Sequence, residues 1–415
     1  MSEQTVSRPA GATRTGSASS RSAPARSRGS VVKWVLIAAL LGFLLVFPLY
    51  FDEFWLRTGF AVFGAAIGAI GLNLLVGTTG QLSLAHAFFL AVGAVSYSYI
   101  SGESGGLGTR AGIEGLGLPP VVGMVVGVLL AGLAGLVFSP IAARLRGIYL
   151  GVASLGLVFI GVHVINTWTP VTGGFNGRAA PEFSLFGFTF GNSDPQLWVL
   201  GVPFREAERL WYLGLVLALA AYVFARNLLR SRPGRALQTL RDSEVAASVM
   251  GVNVQAYKAR VFLVSSMYAG LSGVLYALSI GSIAPESFTL VVSIQYLAMI
   301  VLGGLGSVGG AALGALFVTA LPLLFQQYAD VLPLVSAPGQ GGISAGFAAR
   351  FLYGAAIILI VLFEPAGLAG IAQRLTSRFR RGRAPAHGGV TTPPPEQPGS
   401  APTPSDRPAQ GSDTR

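Results

Sequence analysis

Residues 71–100 read GLNLLVGTTGQLSLAHAFFLAVGAVSYSYI. Two apolar runs flank the polar stretch 78–86, and no Asp, Glu, Lys or Arg occurs anywhere in the thirty residues. With their neighbours the runs reach about 20 residues each, the length of helix that crosses ~30 Å of hydrocarbon. The stretch between them predicts irregular backbone at membrane depth, which is tolerated only where protein or a water-filled cavity satisfies its peptide groups.

The rest of the chain repeats this pattern. Of 415 residues, 52% are hydrophobic and only 11% charged, whereas soluble domains carry about 25% charged residues. Apolar stretches at 33–50, 58–77, 83–100, 119–140, 148–166, 210–229, 259–280, 288–305, 308–327 and 345–363 predict an all-α, polytopic integral membrane protein of about ten transmembrane helices. Gly303, Gly304, Gly306, Gly309 and Gly310 predict a tight turn or a broken helix between the eighth and ninth stretches. Residues 1–32 (Ser, Ala, Gly, Thr, Arg) and 371–415 (Arg-rich, then Pro/Ser/Thr-rich) cannot bury enough apolar area to order themselves and read as disordered tails around a 33–370 membrane domain. The first stretch lacks a small-residue cleavage site and reads as a retained span.

The formal charge of +11 reports topology. Ten alternating spans with both termini cytoplasmic leave only Arg57, Arg110, Arg178, Arg205, Arg209 and Arg350 among the basic residues outside, together with ten of the 17 acidic residues. That asymmetry is the positive-inside pattern of a multi-pass protein of the bacterial cytoplasmic membrane. A nucleic-acid partner requires a basic face on a folded domain, and here the charge lies in tails and loops. Two loops are long. Residues 167–209 form an ordered external loop, and residues 230–258, RSRPGRALQTLRDSEVAASVMGVNVQAYK, form a cytoplasmic one. In the latter, Ala236, Leu237, Leu240, Val245, Ala246, Val249 and Met250 predict the apolar side of one short helix, with Pro233 and Gly234 before it and Gly251 after it.

Motifs of enzymatic chemistry are absent. The three His belong to no HExxH, and there is no GxxxxGK[ST] phosphate loop. Without Cys there is no disulfide, thiolate nucleophile or Cys-held metal. The sequence therefore predicts no catalytic residue, metal site or cofactor, and no means of its own to use ATP. The acidic residues fall at span ends, against an ion-coupled carrier. Asn73, Gln81, Ser83 and His86 are the polar groups at membrane depth, candidates either for helix packing or for lining a translocation path.

The 71–100 stretch resembles the permease subunits of bacterial ABC importers for branched-chain amino acids, in particular the LivM-like branch. So do RGIYLGVASLGLVFIG at 146–161, TGGFNG at 172–177, GRALQTLRDSEVAASVMGVNVQAYKARVFLVSSMYAGLSGVLYA at 234–277, AMIVLGGLGSVGGAALGALF at 298–317 and LFEPAGLAG at 362–370. The hydroxyls of Thr78 and Thr79 depart from the bulkier residue the family often carries there. The resemblance implies a second, LivH-like permease subunit, two cytoplasmic ATPases that bind ATP and Mg, and an extracytoplasmic solute-binding protein. By the same resemblance, Arg235, Arg241, Asp242, Glu244, Ala246, Ala247 and Gly251 couple the chain to an ATPase. Thr172, Gly173, Gly174 and Asn176 fall in the external loop as candidates for docking the binding protein. The small-molecule substrate implied is leucine, isoleucine or valine. Urea or short amides in the same architecture, a self-contained secondary carrier and a polytopic membrane enzyme are the competing readings.

Overall fold

A computed structural model describes residues 28–103, 114–145, 147–191, 197–199, 202–328, 335–336, 343–363, 367–370 and 374. The main helices are α1 (Arg28–Val46), α2 (Glu53–Thr79), α3 (His86–Ser101), α4 (Pro120–Arg144), α5 (Ile148–Thr167), α7 (Glu206–Arg230), α10 (Val254–Ile280), α11 (Leu290–Gly303), α12 (Val308–Gln327) and α13 (Ala345–Phe363). These ten fall on the ten apolar stretches predicted from the sequence. Three short helices, α6 (Thr169–Thr172), α8 (Arg232–Asp242) and α9 (Glu244–Val249), lie in the two long loops. Most of the predicted tails lies outside the described residues, although α1 already begins at Arg28.

Seven helical segments among the described residues are long and apolar enough to cross a membrane, one of them the 285–303 segment that ends in α11. Of the other three main helices, α3 has 16 residues, about 24 Å of rise. α11 itself has 14 residues.

Two helices form the axis of the bundle. The membrane-length window of α2 is 83% buried and that of α10 72%, against 22–44% for the other five. Small residues bring the axis helices close to each other and to their neighbours. A Cβ at Gly273 of α10 would stand 2.0 Å from the Leu90 carbonyl oxygen of α3, and one at Gly71 of α2 2.3 Å from the Tyr268 Cβ of α10. Such contact between backbones is how helices associate where lipid supplies no hydrophobic drive. The outer helices turn large apolar side chains outward, among them Leu133, Val137, Phe159 and Phe224, a surface suited to hydrocarbon. The Trp211 indole of α7 donates to Leu44 O at 3.0 Å and stacks on Phe47, fastening α1 to the bundle.

Strands are limited to ribbons of two or three residues. β1 (Arg178–Ala179) pairs antiparallel with β6 (Ser282–Ile283), tying the 167–209 loop to the end of α10. β2 (Ser184–Leu185) and β3 (Phe188–Thr189) form a hairpin, as do β4 (Leu197–Val199) and β5 (Val202–Phe204). β7 (Val335–Ser336) and β8 (Ile343–Ser344) pair in parallel.

The single amphipathic helix predicted within 230–258 is two helices. Ser243 adopts an extended conformation after Asp242 and its hydroxyl accepts from Ala246 N, so it ends α8 and caps α9. Pro233 and Gly234 sit inside the first turn of α8, behind the cap Ser231. The apolar set divides accordingly. Leu237 and Leu240 are buried, while Val245, Ala246, Val249 and Met250 are exposed.

The packing yields a paired expectation. Gly273→Ala forces α3 and α10 apart and costs about 1–3 kcal/mol. Gly156→Ala on α5, where a Cβ meets nothing within 4 Å, leaves stability unchanged or raises it by up to about 1 kcal/mol. Thermal unfolding of the detergent-solubilised variants checks both.

Candidate functional site

α2 enters at Glu53 and ends at Thr79, where Gly80 closes it with a left-handed C-cap. The Thr78 and Thr79 hydroxyls donate back to the Leu74 and Leu75 carbonyls, finishing the last turn. The chain then returns. Residues 80–84 carry no regular structure, and α3 starts at His86, whose ring hydrogen-bonds to the Gly68 backbone. Gly68 lies 11 residues before Thr79, about 16 Å back along α2. The irregular segment thus climbs from the end of α2 to its middle, and α3 covers only the remaining depth. Its peptide groups find partners on other helices: Leu84 N donates to Ser154 Oγ of α5 at 2.8 Å, and Ala87 N to Ser293 Oγ of α11 at 3.0 Å.

Above this break, toward the Glu53 end, lies a cavity of about 550 Å³ between α2, α10, α11 and α12. Its floor is a short hydrogen-bond chain. Ser272 Oγ donates its only proton to Gly64 O at 2.7 Å, so the Tyr296 hydroxyl, 2.8 Å away, is the donor to Ser272. Tyr296 keeps acceptor capacity free. Its ring crosses α2 at Gly68, where a Cβ would stand 2.5 Å from the ring edge, and it packs on the His86 ring with centroids 4.7 Å apart. His86 is buried and its Nε2 has no hydrogen-bond partner among the described residues; neither amide atom of buried Gln81 has one.

The four polar residues singled out at membrane depth therefore separate. Gln81, Ser83 and His86 are buried on the broken segment. Asn73 lies on α2 and spends its amide elsewhere, with Nδ2 donating to Ser307 O and Oδ1 accepting from Gly306 N, both at 2.9 Å. These bonds clamp the 304–307 turn between α11 and α12 against the end of α2. Gly306 holds φ +84° there, and a Cβ on Gly77 would meet its nitrogen at 2.6 Å. The glycine cluster is a tight turn between two helices, and the helical turn 367–370 covers it: a Cβ on Gly367 would meet Gly304 N at 2.6 Å.

α8 reaches the same place. Arg241 Nη1 donates to Gly77 O at 2.7 Å, a cation at the negative end of α2. Glu244, at the start of α9, pairs with Lys258 of α10 at 2.6 Å, and Lys258 is 1% exposed. Two of the seven residues predicted to couple to an ATPase thus bond within the chain, Arg241 to α2 and Glu244 to α10. Arg235, Asp242 and Ala246 are exposed, Ala247 is buried, and Gly251 takes φ +81° after α9. Beside them stand Val245, Val249 and Met250, 70%, 83% and 64% exposed. Lys258, Ser272, Tyr296 and Ser307 were not singled out in the sequence, because each looks like an ordinary span or loop residue until the partner distant in sequence is known.

In the 167–209 loop, Thr172, Gly173 and Gly174 are buried while Phe175 and Asn176 are exposed. The Thr172 hydroxyl bonds to Ile165 O at 2.6 Å and accepts from Gly174 N. A Cβ on Gly173 would stand 2.0 Å from Gly177 O. The TGGFNG turn is wound on itself and offers only Phe175 and Asn176 outward. Among the described residues, no group of His, Cys, Asp and Glu is arranged to hold a metal ion.

Comparison with known proteins adds three kinds of relative. Residues 55–361 match the family model described as the permease component of branched-chain amino acid transport systems. The high-affinity branched-chain amino acid permease protein LivM of Escherichia coli K12 is 29% identical over 352 residues, 82% of this chain and 76% of the relative. The ribose import permease protein RbsC of the same organism is 30% identical over 247 residues, 59% of this chain and 67% of the relative. The permease protein LivH of Salmonella typhimurium is 25% identical over 265 residues, 63% and 82% of the two chains. No solved structure matches.

The Glu244–Lys258 pair generates a double-mutant test. Glu244→Leu leaves a buried cation unpaired and costs about 3–5 kcal/mol. Lys258→Met costs less, because Glu244 retains 28% side-chain exposure. The double variant recovers most of the loss in a thermal-unfolding cycle.

Proposed function

Since the chain belongs to the family of permease components of branched-chain amino acid transport systems, we propose that it is the membrane permease subunit of an ATP-driven importer for leucine, isoleucine and valine. The observation that carries this reading is the family match over 55–361 joined to the LivM likeness over most of the chain. Its partners are a LivH-like permease, two ATPases that bind ATP and Mg, and an external solute-binding protein. The likeness to LivH supports the first of these. The chain sits multi-pass in the cytoplasmic membrane with both termini inside, an orientation supported by the placement of basic residues.

In this orientation α8 and α9 lie at the cytoplasmic end. The exposed apolar group Val245, Val249 and Met250, flanked by Arg235 and Asp242, is the surface on which an ATPase docks. Arg241 and Glu244 act behind that surface, carrying its movement to α2 and α10 through the bonds to Gly77 and Lys258. A docked partner shifts the spans only if it binds their two arrangements with different affinity. Gln81, Ser83 and His86 lie along the path, and Phe175 and Asn176 are the external contacts for the binding protein. Chemistry stays with the ATPases, and this chain gates and conducts.

The RbsC relative supports a second reading of the substrate, a small polar solute such as a pentose. Uptake distinguishes the two. Cells that express the whole importer and lack other leucine uptake accumulate labelled leucine, and excess isoleucine or valine competes while ribose does not. Competition by ribose alone selects the second reading. Val249→Asp reduces leucine uptake at least about tenfold by placing an unpaired charge in the docking contact, with unchanged thermal stability of the isolated chain. Undiminished uptake contradicts the docking assignment.

A further inference from the structure

The 550 Å³ cavity lies between helices of this one chain. Most of the lining is apolar, contributed by Leu90, Leu275, Phe288 and Met299. Thr58 also lines it, and its buried hydroxyl has no hydrogen-bond partner among the described residues. Thr78 and Thr79, on the same helix, send theirs to the carbonyls four residues back. A buried hydroxyl without a partner is costly, and a guest relieves that cost once the Thr58 side chain turns toward it. On the floor, Tyr296 donates to Ser272 and retains its acceptor sites.

The rim fixes the charge of such a guest. Arg57 is the cation at the entrance, and it is matched by Glu53 at 2.7 Å and Glu206 at 3.7 Å. Two carboxylates against one guanidinium leave no surplus positive charge to draw in an anion. The floor is neutral, so a cation gains nothing by going deeper. Apolar walls with neutral donors and acceptors suit a compact aliphatic body whose polar end has no net charge.

We propose that this cavity is a solute-binding site between helices of this chain, taking a small neutral or zwitterionic solute with an aliphatic body, held by Thr58 and the Tyr296–Ser272 pair. The proposal rests on the reading of the chain as a permease and adds a place where the solute stops within it. Below the floor, the unpaired His86 Nε2 and Gln81 amide are the next polar groups the solute meets on the broken segment.

The chain contains no Cys, so single cysteines report on the cavity directly. Thr58→Cys and Ala61→Cys line it. Tyr50→Cys, at an 82% exposed position, is the freely accessible control, and Val137→Cys, 70% exposed on the apolar face of α4, is the lipid-facing one. In the assembled importer in proteoliposomes, a membrane-impermeant methanethiosulfonate cation labels Tyr50→Cys and both cavity cysteines but not Val137→Cys, as read by the mass of this chain. Leucine at ten times its half-saturating concentration slows labelling of the cavity cysteines about tenfold and leaves Tyr50→Cys unaffected. Equal rates with and without leucine overturn the proposal. So does refusal of the impermeant reagent at both cavity positions with reaction only toward a lipid-soluble maleimide, which makes the cavity a lipid crevice. Leucine uptake by the cysteine-free importer tests the transport reading separately, so uptake together with unprotected cysteines overturns the cavity assignment alone.

Discussion

A peptide group in an apolar interior must be hydrogen-bonded, and the segment between α2 and α3 has no helix of its own in which to meet that demand. Ser154 and Ser293 meet it instead, by accepting from Leu84 N and Ala87 N. Two further features follow. The segment can climb to the level of Gly68, so α3 spans only part of the bundle and places His86 at mid-depth. α11 must bring Ser293 to the start of α3, which sets Tyr296, three residues on, across Gly68 and beside His86. The shortness of α3, the placing of Tyr296 on the cavity floor and the unpaired His86 and Gln81 beneath it follow from one broken stretch.

At the α8 end the polar groups Asn73, Arg241, Glu244 and Lys258 are all paired. Asn73 uses both ends of its amide on the 304–307 turn, and Arg241 and Glu244 bind the two axis helices. α8 and α9 are therefore bonded to α2 and α10 through short, directional contacts. Among the described residues, unpaired side-chain atoms lie instead on α2 (Thr58), on the broken segment (Gln81) and on α3 (His86, Ser98 and Ser101).

Much of this fold was legible in the sequence because bilayer thickness imposes a length on every span. The ten apolar stretches, the break between the second and third of them and the glycine turn after the eighth follow from composition and period, although Thr78 and Thr79 end α2 and His86 starts α3, so the irregular stretch is shorter than 78–86. What escaped were pairings distant in the chain. Asn73 appeared as a path candidate because nothing local reveals that Gly306 and Ser307 consume its amide. Glu244 appeared as an outward contact because Lys258, on the next helix, looked like one more loop cation. The loop helix was read as continuous because its apolar spacing continues across Ser243, whose capping hydroxyl breaks it. The cavity had no sequence signal: it is the space left between four helices, and Thr58 and Tyr296 line it only once those helices are packed.

The central claim is that α8 is mechanically joined to the broken segment through Arg241 and the end of α2. Hydrogen–deuterium exchange of the assembled importer, read on peptides covering residues 80–87 with and without a non-hydrolysable ATP analogue, tests it most directly. The account predicts that nucleotide changes exchange at Leu84 and Ala87, whose amides are held by Ser154 and Ser293, and that Arg241→Ala abolishes the change while the ATPases remain bound. An equal nucleotide-dependent change in the Arg241→Ala importer would contradict it.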